Sequence, residues 1–171
     1  IYVYCSNEEI KKYLIPGVKY IKRDMKFDTA ETDVIEMMNV FSNIIDSNIY
    51  VQIHATAPLI SAESISIGIE KIMSEGYDSA FSVTKLQDFL WQNGKPINYS
   101  LQKIPRTQDM DPFWMETTGM YIYRKDVIQN LHRRIGDKPY MVELNEIESL
   151  DVDTPNDFTI IDAVYSFFNR K

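Results

Sequence analysis

IYVQIHATAPLI, residues 49 to 60, is the stretch on which the fold turns. Ile49 to Ala55 is nearly all apolar, the pattern of a central strand covered on both faces. The run then ends in short residues from His54 to Ala57, and Pro58 breaks the ladder. Small side chains after a strand let a ligand approach the backbone closely, although a plain strand-to-helix turn explains them equally well.

The same alternation extends to both sides. Upstream, residues 1–6 (IYVYCS) form a strand, 7–15 a short helix capped by Asn7, and Pro16-Gly17 a stop. Residues 18–23 (VKYIKR) alternate like a second strand. Residues 29–45 then carry Val34, Met37, Met38, Phe41, Ile44 and Ile45 at helical spacing, with Thr29 to Thr32 opening that helix. Downstream, a helix runs from Ser61 through Ile65, Ile69 and Ile72 to Gly76, and residues 78–86 form a fourth strand. Regular structure resumes with 119–124, a helix from Asp126 to Ile135, a strand at 140–144 and a last helix from Pro155 to about Phe168. This order predicts a three-layer α/β/α domain with a mostly parallel mixed sheet. Residues 87–113 interrupt it with turn formers, aromatics and long polar side chains, as expected of a functional loop or an excursion toward a partner.

At 171 residues the chain suits one domain with a real core. Its net charge of −7 argues against non-specific nucleic-acid binding, and no apolar run approaches the roughly 20 residues that span a bilayer. Cys5 is the only cysteine, so no intrachain disulfide forms, and a cytoplasmic location is expected. The chain opens with Ile1 inside an apolar run, which suggests a piece of a longer protein.

Ligands of open α/β sheets bind beyond the carboxyl ends of the strands. That edge collects Arg23, His54, Thr56 and, near the end of the chain, DVDTPNDF (151–158). In extended backbone Asp151 and Asp153 project from one face, while Thr154, Pro155 and Asp157 form a helix start with a capping box. Two carboxylates so close repel unless something positive intervenes. A hard divalent cation resolves the conflict, and Mg²⁺ is held by one or two carboxylates plus substrate phosphates. The plain alternative is that Asp153 caps the helix and Asp151 is solvated. Arg106, in the irregular segment, has the guanidinium fork that clamps a carboxylate, or is an ordinary surface arginine.

Taken in order, VYCSNEEI (3–10), Arg23 with DTAETDVI (28–35), HATAPLI (54–60), DSAFSV (78–83), PRTQD (105–109), TGMYIY (118–123) and DVDTPNDF (151–158) resemble the acylneuraminate cytidylyltransferases. That family includes the synthetases of CMP-sialic, pseudaminic and legionaminic acids, with the CMP-KDO synthetases further off. The resemblance implies a Rossmann-like nucleotidyltransferase domain over 1–171 that transfers CMP from CTP to a nine-carbon sugar acid, releases pyrophosphate, and serves surface glycan synthesis. It makes Asp151 and Asp153 the ligands of Mg²⁺, with Mn²⁺ as the alternative. It places Arg23, Ala30 and Thr32 near the cytosine, His54 and Thr56 at the nucleotide or sugar, and Arg106 and Gln108 at the sugar. It also makes residues 86–117 an excursion exchanged in a homodimer.

The sequence departs from the family at His54, where glutamine is usual, at Ile60, where arginine is frequent, and at Thr118, which replaces an asparagine. The family's basic glycine-rich loop has no counterpart in 1–171, so weak CTP binding by this stretch alone is expected. Two other readings are a metal-dependent sugar-nucleotide glycosyltransferase and a non-catalytic dimerising remnant.

Overall fold

A computed structural model describes residues 1–168. Among the described residues, eight strands and four α-helices follow one another in chain order: β1 (Tyr2–Cys5), β2 (Lys19–Lys22), α1 (Val34–Ile44), β3 (Ile49–Ile53), α2 (Ala62–Ser74), β4 (Ser79–Leu86), β5 (Trp91–Gln92), β6 (Lys95–Pro96), β7 (Phe113–Arg124), α3 (Lys125–Gln129), β8 (Pro139–Glu143) and α4 (Pro155–Phe168). Short 3₁₀ turns lie at Glu8–Tyr13, Met25–Phe27 and Thr107–Asp109.

The main sheet has the order β3-β7-β4-β8. β4 and β8 are parallel, and β7 runs antiparallel to both β3 and β4, so three of the four strands share one direction. β1 and β2 form a separate parallel pair. Helices cover both faces of the main sheet, as the strand–helix alternation requires. On one face α2 packs Ile72 onto Ala80, Met120, Ile122, Val142 and Leu144, all at most 2% exposed. On the other, Tyr50, Tyr121 and Tyr123 pack with Val127 and Ile128 of α3, and with Met38 and Phe41 of α1. The alternation along β7 divides these sets: Met120 and Ile122 point to α2, Tyr121 and Tyr123 to α1 and α3. Gly68 of α2 lets the helix approach; a Cβ there would lie 2.6 Å from Ile122 Cδ1.

Four sequence expectations are corrected. β3 is an edge strand of the main sheet rather than a central one, and Val51 and Ile53 stay 41% and 40% exposed. The outer edges of β1 and β3 have no strand partner among the described residues. They face each other across a groove of about 500 Å³ whose lining includes Tyr2, Tyr4, Val51 and Ile53, with Met37, Met38 and Phe41 of α1 adding apolar surface. α1 starts at Val34, not at Thr29. Asp33 caps it by accepting from Ile35 N at 2.8 Å, while Thr29 to Thr32 close a turn through Thr32 N to Thr29 O. α3 ends at Gln129, well short of Ile135. His132 takes a left-handed conformation (φ 50) and Arg133 N donates back to Val127 O, a bond outside the helical i→i−4 pattern that closes the helix end. β7 starts at Phe113, six residues before the expected strand, because Phe113 to Glu116 pair with Leu86 to Val83 as a two-stranded arm.

Candidate active site

The acidic junction is built as its sequence suggests. Asp157 accepts from Thr154 N at 2.7 Å and Asp157 N returns to Thr154 Oγ1 at 3.3 Å, a reciprocal cap on α4. The Thr154 hydroxyl, donating to the Asp157 carboxylate at 2.8 Å, and then the Thr154 amide hold that carboxyl below the ordinary aspartate range. With Asp157 committed to the cap, Asp151 and Asp153 are free for other work. The Val152 amide donates to Thr56 O at 2.9 Å, which ties the junction to the exit of β3. Asp151 is half-buried and accepts from Thr118 Oγ1 at 3.3 Å, whereas Asp153 is exposed.

Thr118 owes its position to an irregularity in β7. Between the pairs Phe81–Tyr121 and Val83–Glu116, one residue of β4 faces four of β7. Ser82 fills that gap, its hydroxyl accepting from Met120 N at 3.1 Å and from Thr117 Oγ1 at 2.7 Å. Thr118 adopts φ 58, a strained choice for a β-branched residue that turns its hydroxyl toward Asp151. The next residue must be glycine: a Cβ on Gly119 would lie 2.7 Å from Ala57 and 2.8 Å from Ile60. Gly119 O in turn accepts from His54 N at 2.9 Å.

His54 is half-buried beside Gln52, their Nε2 atoms 2.9 Å apart. Burial, then the positive charge of Arg134, lowers its pKa; Asp151 pulls the other way. The imidazole is therefore neutral near pH 7. Gln52 Oε1 and Arg23 Nε are buried with no hydrogen-bond partner among the described residues, and both residues line the groove between β1 and β3. Arg23 also pairs with Asp28 at 2.8 Å.

The fold thus brings Asp151, His54, Thr56 and Thr118 to one edge, with Arg23 across the groove mouth. Ala30 and Thr32 lie in the turn before α1, outside the lining of that groove. Arg106 and Gln108 face each other in the Thr107–Asp109 turn; Arg106 is 72% exposed and 3.9 Å from Asp109. No group of three or more His, Cys, Asp or Glu side chains among the described residues is arranged to hold a metal. Asp151 and Asp153 offer only hard oxygen donors, a set that suits a magnesium ion completed by phosphate oxygens.

Sequence reasoning missed Arg134, Tyr121 and Glu116. The Arg134 guanidinium stacks 3.6 Å from the Tyr121 ring centroid and donates to Tyr121 Oη at 2.8 Å. Tyr121 Oη in turn donates to Glu116, whose carboxylate lies 3.7 Å from Arg134. Burial, then that bond to Glu116, raises the Tyr121 pKa well above the ordinary phenol value. Three residues scattered over 116–134 carry no local signal; only the β7 irregularity and the early stop of α3 bring them together.

The architecture is an α/β fold shared with cytidylyltransferases of known structure. A CMP-2-keto-3-deoxy-manno-octonic acid synthetase solved with CTP superposes with a TM-score of 0.68, at 15% identity, over 98% of this chain and 80% of that one. In sequence, the chain is similar to N-acylneuraminate cytidylyltransferase A of Danio rerio, 26% identical over 170 residues, and to N-acylneuraminate cytidylyltransferase of Oncorhynchus mykiss, 24% identical over 170 residues. Each alignment covers 94% of this chain but only 39% of the relative, so the chain spans about two-fifths of the length of these relatives. The resemblance read from the motifs is borne out. No protein-family model matches the chain.

Proposed function

We propose that the protein carrying this chain is a cytidylyltransferase that moves CMP from CTP to a nonulosonic sugar acid and releases pyrophosphate. The observation that carries the reading is the docking of the 151–153 junction onto the β3 exit, through Val152 N to Thr56 O and Thr118 Oγ1 to Asp151. Similarity to proteins named for this activity supports it.

In this reading Asp151 and Asp153 hold a magnesium ion, manganese being the substitute. The ion would neutralise charge on the phosphates. The remaining work is positioning. Arg23, at the groove mouth, lies on the nucleotide side. His54, kept neutral, presents a hydrogen-bonding ring without adding positive charge. Thr56 fixes the acidic junction through its carbonyl. The acceptor's anomeric hydroxyl attacks the α-phosphorus in line as pyrophosphate leaves.

The excursion over 86–117 exposes Trp91, Ile97, Leu101, Ile104, Phe113 and Met115, an apolar surface that fits a second copy of the chain. Arg106 and Gln108 lie in the same excursion, and in this reading they approach the acceptor held by the partner copy of such a homodimer. The single free cysteine, Cys5, fits a cytoplasmic enzyme. No helix among the described residues is long and apolar enough to cross a membrane. The product, an activated sugar acid, would feed glycan assembly at the cell surface.

The test is pyrophosphate release by the full-length protein given CTP, Mg²⁺ and a nonulosonic acid. Asp151→Asn with Asp153→Asn should lower turnover at least ~100-fold, with CD spectrum and melting temperature near wild type. Turnover within a few-fold of wild type would remove the metal role.

A further inference from the structure

Arg134 is the least expected side chain on this edge. It belongs to the segment released when α3 stops at Gln129, and it folds back over the sheet instead of continuing a helix into solvent. Three contacts fix it: the Tyr121 ring at 3.6 Å, the Tyr121 hydroxyl at 2.8 Å and the Glu116 carboxylate at 3.7 Å. Its loop is held independently. Asp78 accepts from Asp137 N at 2.7 Å and Lys138 N at 2.8 Å, and Ser79 Oγ accepts from Gly136 N at 2.8 Å. Such preorganisation is more than a surface arginine needs.

Only Nη2 of Arg134 has a hydrogen-bond acceptor among the described residues, while the side chain is 21% exposed. Most of the donor fork is therefore uncommitted yet fixed in direction, the condition under which a guanidinium grips a planar anion through two parallel bonds. Tyr121 meets both Arg134 and His54: the cation stacks on its ring, and the imidazole centroid is 6.1 Å from the ring's. His54 N bonds to Gly119 O, and adjacent Thr118 bonds to Asp151. His54 feels the charges of both Arg134 and Asp151, so the guanidinium lies near the same edge as the acidic junction.

We propose that Arg134 is the specificity-determining residue for the acceptor, binding the carboxylate of the sugar acid beside His54 while Tyr121 and Glu116 hold its guanidinium in orientation. This rests on the cytidylyl-transfer reading above. Phosphates and carboxylates both suit a guanidinium, but the phosphates are placed at Asp151 and Asp153, and Glu116 at 3.7 Å opposes a multiply charged group. A singly charged, planar carboxylate matches the donor fork. Arg106, exposed and tethered only to Asp109 and Gln108, lacks that preorganisation.

The experiment measures steady-state constants for the full-length protein with both substrates. Arg134→Met should raise the KM for the sugar acid about 10- to 100-fold, the range for losing a charge-assisted bidentate pair. The KM for CTP should change less than about threefold, the resolution expected of such constants. Arg134→Lys, which keeps the charge and loses the fork, should fall between. Wild-type enzyme should discriminate strongly against an acceptor whose carboxylate is reduced to an alcohol, and Arg134→Met should lose that discrimination. A purely structural arginine would lower stability and leave the acid-to-alcohol preference intact, which overturns the proposal. So does a rise confined to the KM for CTP, or an unchanged KM for the acid. Wild-type protein that releases no pyrophosphate with any sugar acid overturns the underlying reading instead, a result that no Arg134 variant can mimic.

Discussion

Gly136→Ala should unfold the loop that presents Arg134, and the size of the effect can be worked from the contacts. Gly136 does not adopt a left-handed φ; its requirement is space, because a Cβ there would overlap the Asp78 carboxylate. That carboxylate accepts from Ser79 Oγ at 2.8 Å, Asp137 N at 2.7 Å and Lys138 N at 2.8 Å. Displacing it loses two amide bonds to a charged acceptor, each about 1.5–3 kcal/mol, less what water returns to the freed groups. A net loss of about 2–4 kcal/mol follows, or roughly 5–15 °C in melting temperature for a chain of this size. Urea denaturation of wild type, Gly136→Ala, Asp78→Ala and the double variant measures it. Asp78→Ala removes the same bonds, so the second substitution should add little and the coupling should exceed about 1.5 kcal/mol. Additive losses would refute the reasoning, since they would mean that the two residues act separately. Acid provides a second check. Burial opposes ionisation of Asp78, but the amides of Lys138 and Asp137 and the Ser79 hydroxyl together hold its pKa below the ordinary 3.8. A depressed carboxyl contributes stability above its unfolded pKa and loses it as pH falls through the folded one. Wild type should lose that stability below about pH 4, and Asp78→Ala should lose less.

Tyr123 Oη is fully buried without a partner among the described residues, so Tyr123→Phe should stabilise the fold by about 1 kcal/mol or leave it unchanged; a clear loss in chemical denaturation would show a missed partner. Gly119→Ala, crowding Ala57 and Ile60 and shifting the carbonyl that His54 uses, should cost about 2 kcal/mol and lower activity more than its stability predicts; equal activity at saturating substrate would refute the coupling. His54 is held neutral by burial and by Arg134, so its folded pKa lies below its unfolded one. The unfolded state binds the extra proton first, and stability contributed by neutral His54 should fall as pH drops below about 6.5. Replacing His54 with glutamine should flatten that part of the stability–pH curve, measured by thermal melts from pH 5 to 8.

Much of the architecture was legible because hydrophobic period is a local property. The helix from Ser61 and the strand after it carry their apolar residues at the spacing each element needs, and Thr154 to Asp157 spell a helix start that the hydrogen bonds reproduce. What failed depended on non-local pairing. Residues 49–53 have the composition of a central strand, yet whether a strand is central is decided by its neighbours, and Val51 and Ile53 face a groove. Phe113 to Glu116 escape a strand reading because a two-stranded arm has no core to impose alternation. The helix after Asp126 has helical spacing as far as Ile135, but the left-handed turn at His132 overrides it.

The same distinction separates the site residues that could be found from those that could not. Asp151 and Asp153 stand out since two like charges adjacent on one face demand an explanation. Arg134 raises no such question in the sequence. Its meaning comes from Tyr121 in β7 and from the Ser82-filled irregularity that pulls Glu116 out of register. That irregularity also strains Thr118 toward Asp151, so one local defect in the β4–β7 ladder orients both the acidic end and the basic end of the edge. A change at Ser82 should therefore disturb both ends at once, which substitution at either end alone would not. Ser82→Ala removes the hydroxyl that meets Met120 N and Thr117 Oγ1, at a cost of about 1–3 kcal/mol for the buried donors left unpaired. If the ladder defect is the shared support, this variant raises the KM for the sugar acid and weakens metal-dependent turnover together. If only one of the two moves, the ends are supported separately and the defect is incidental to the site.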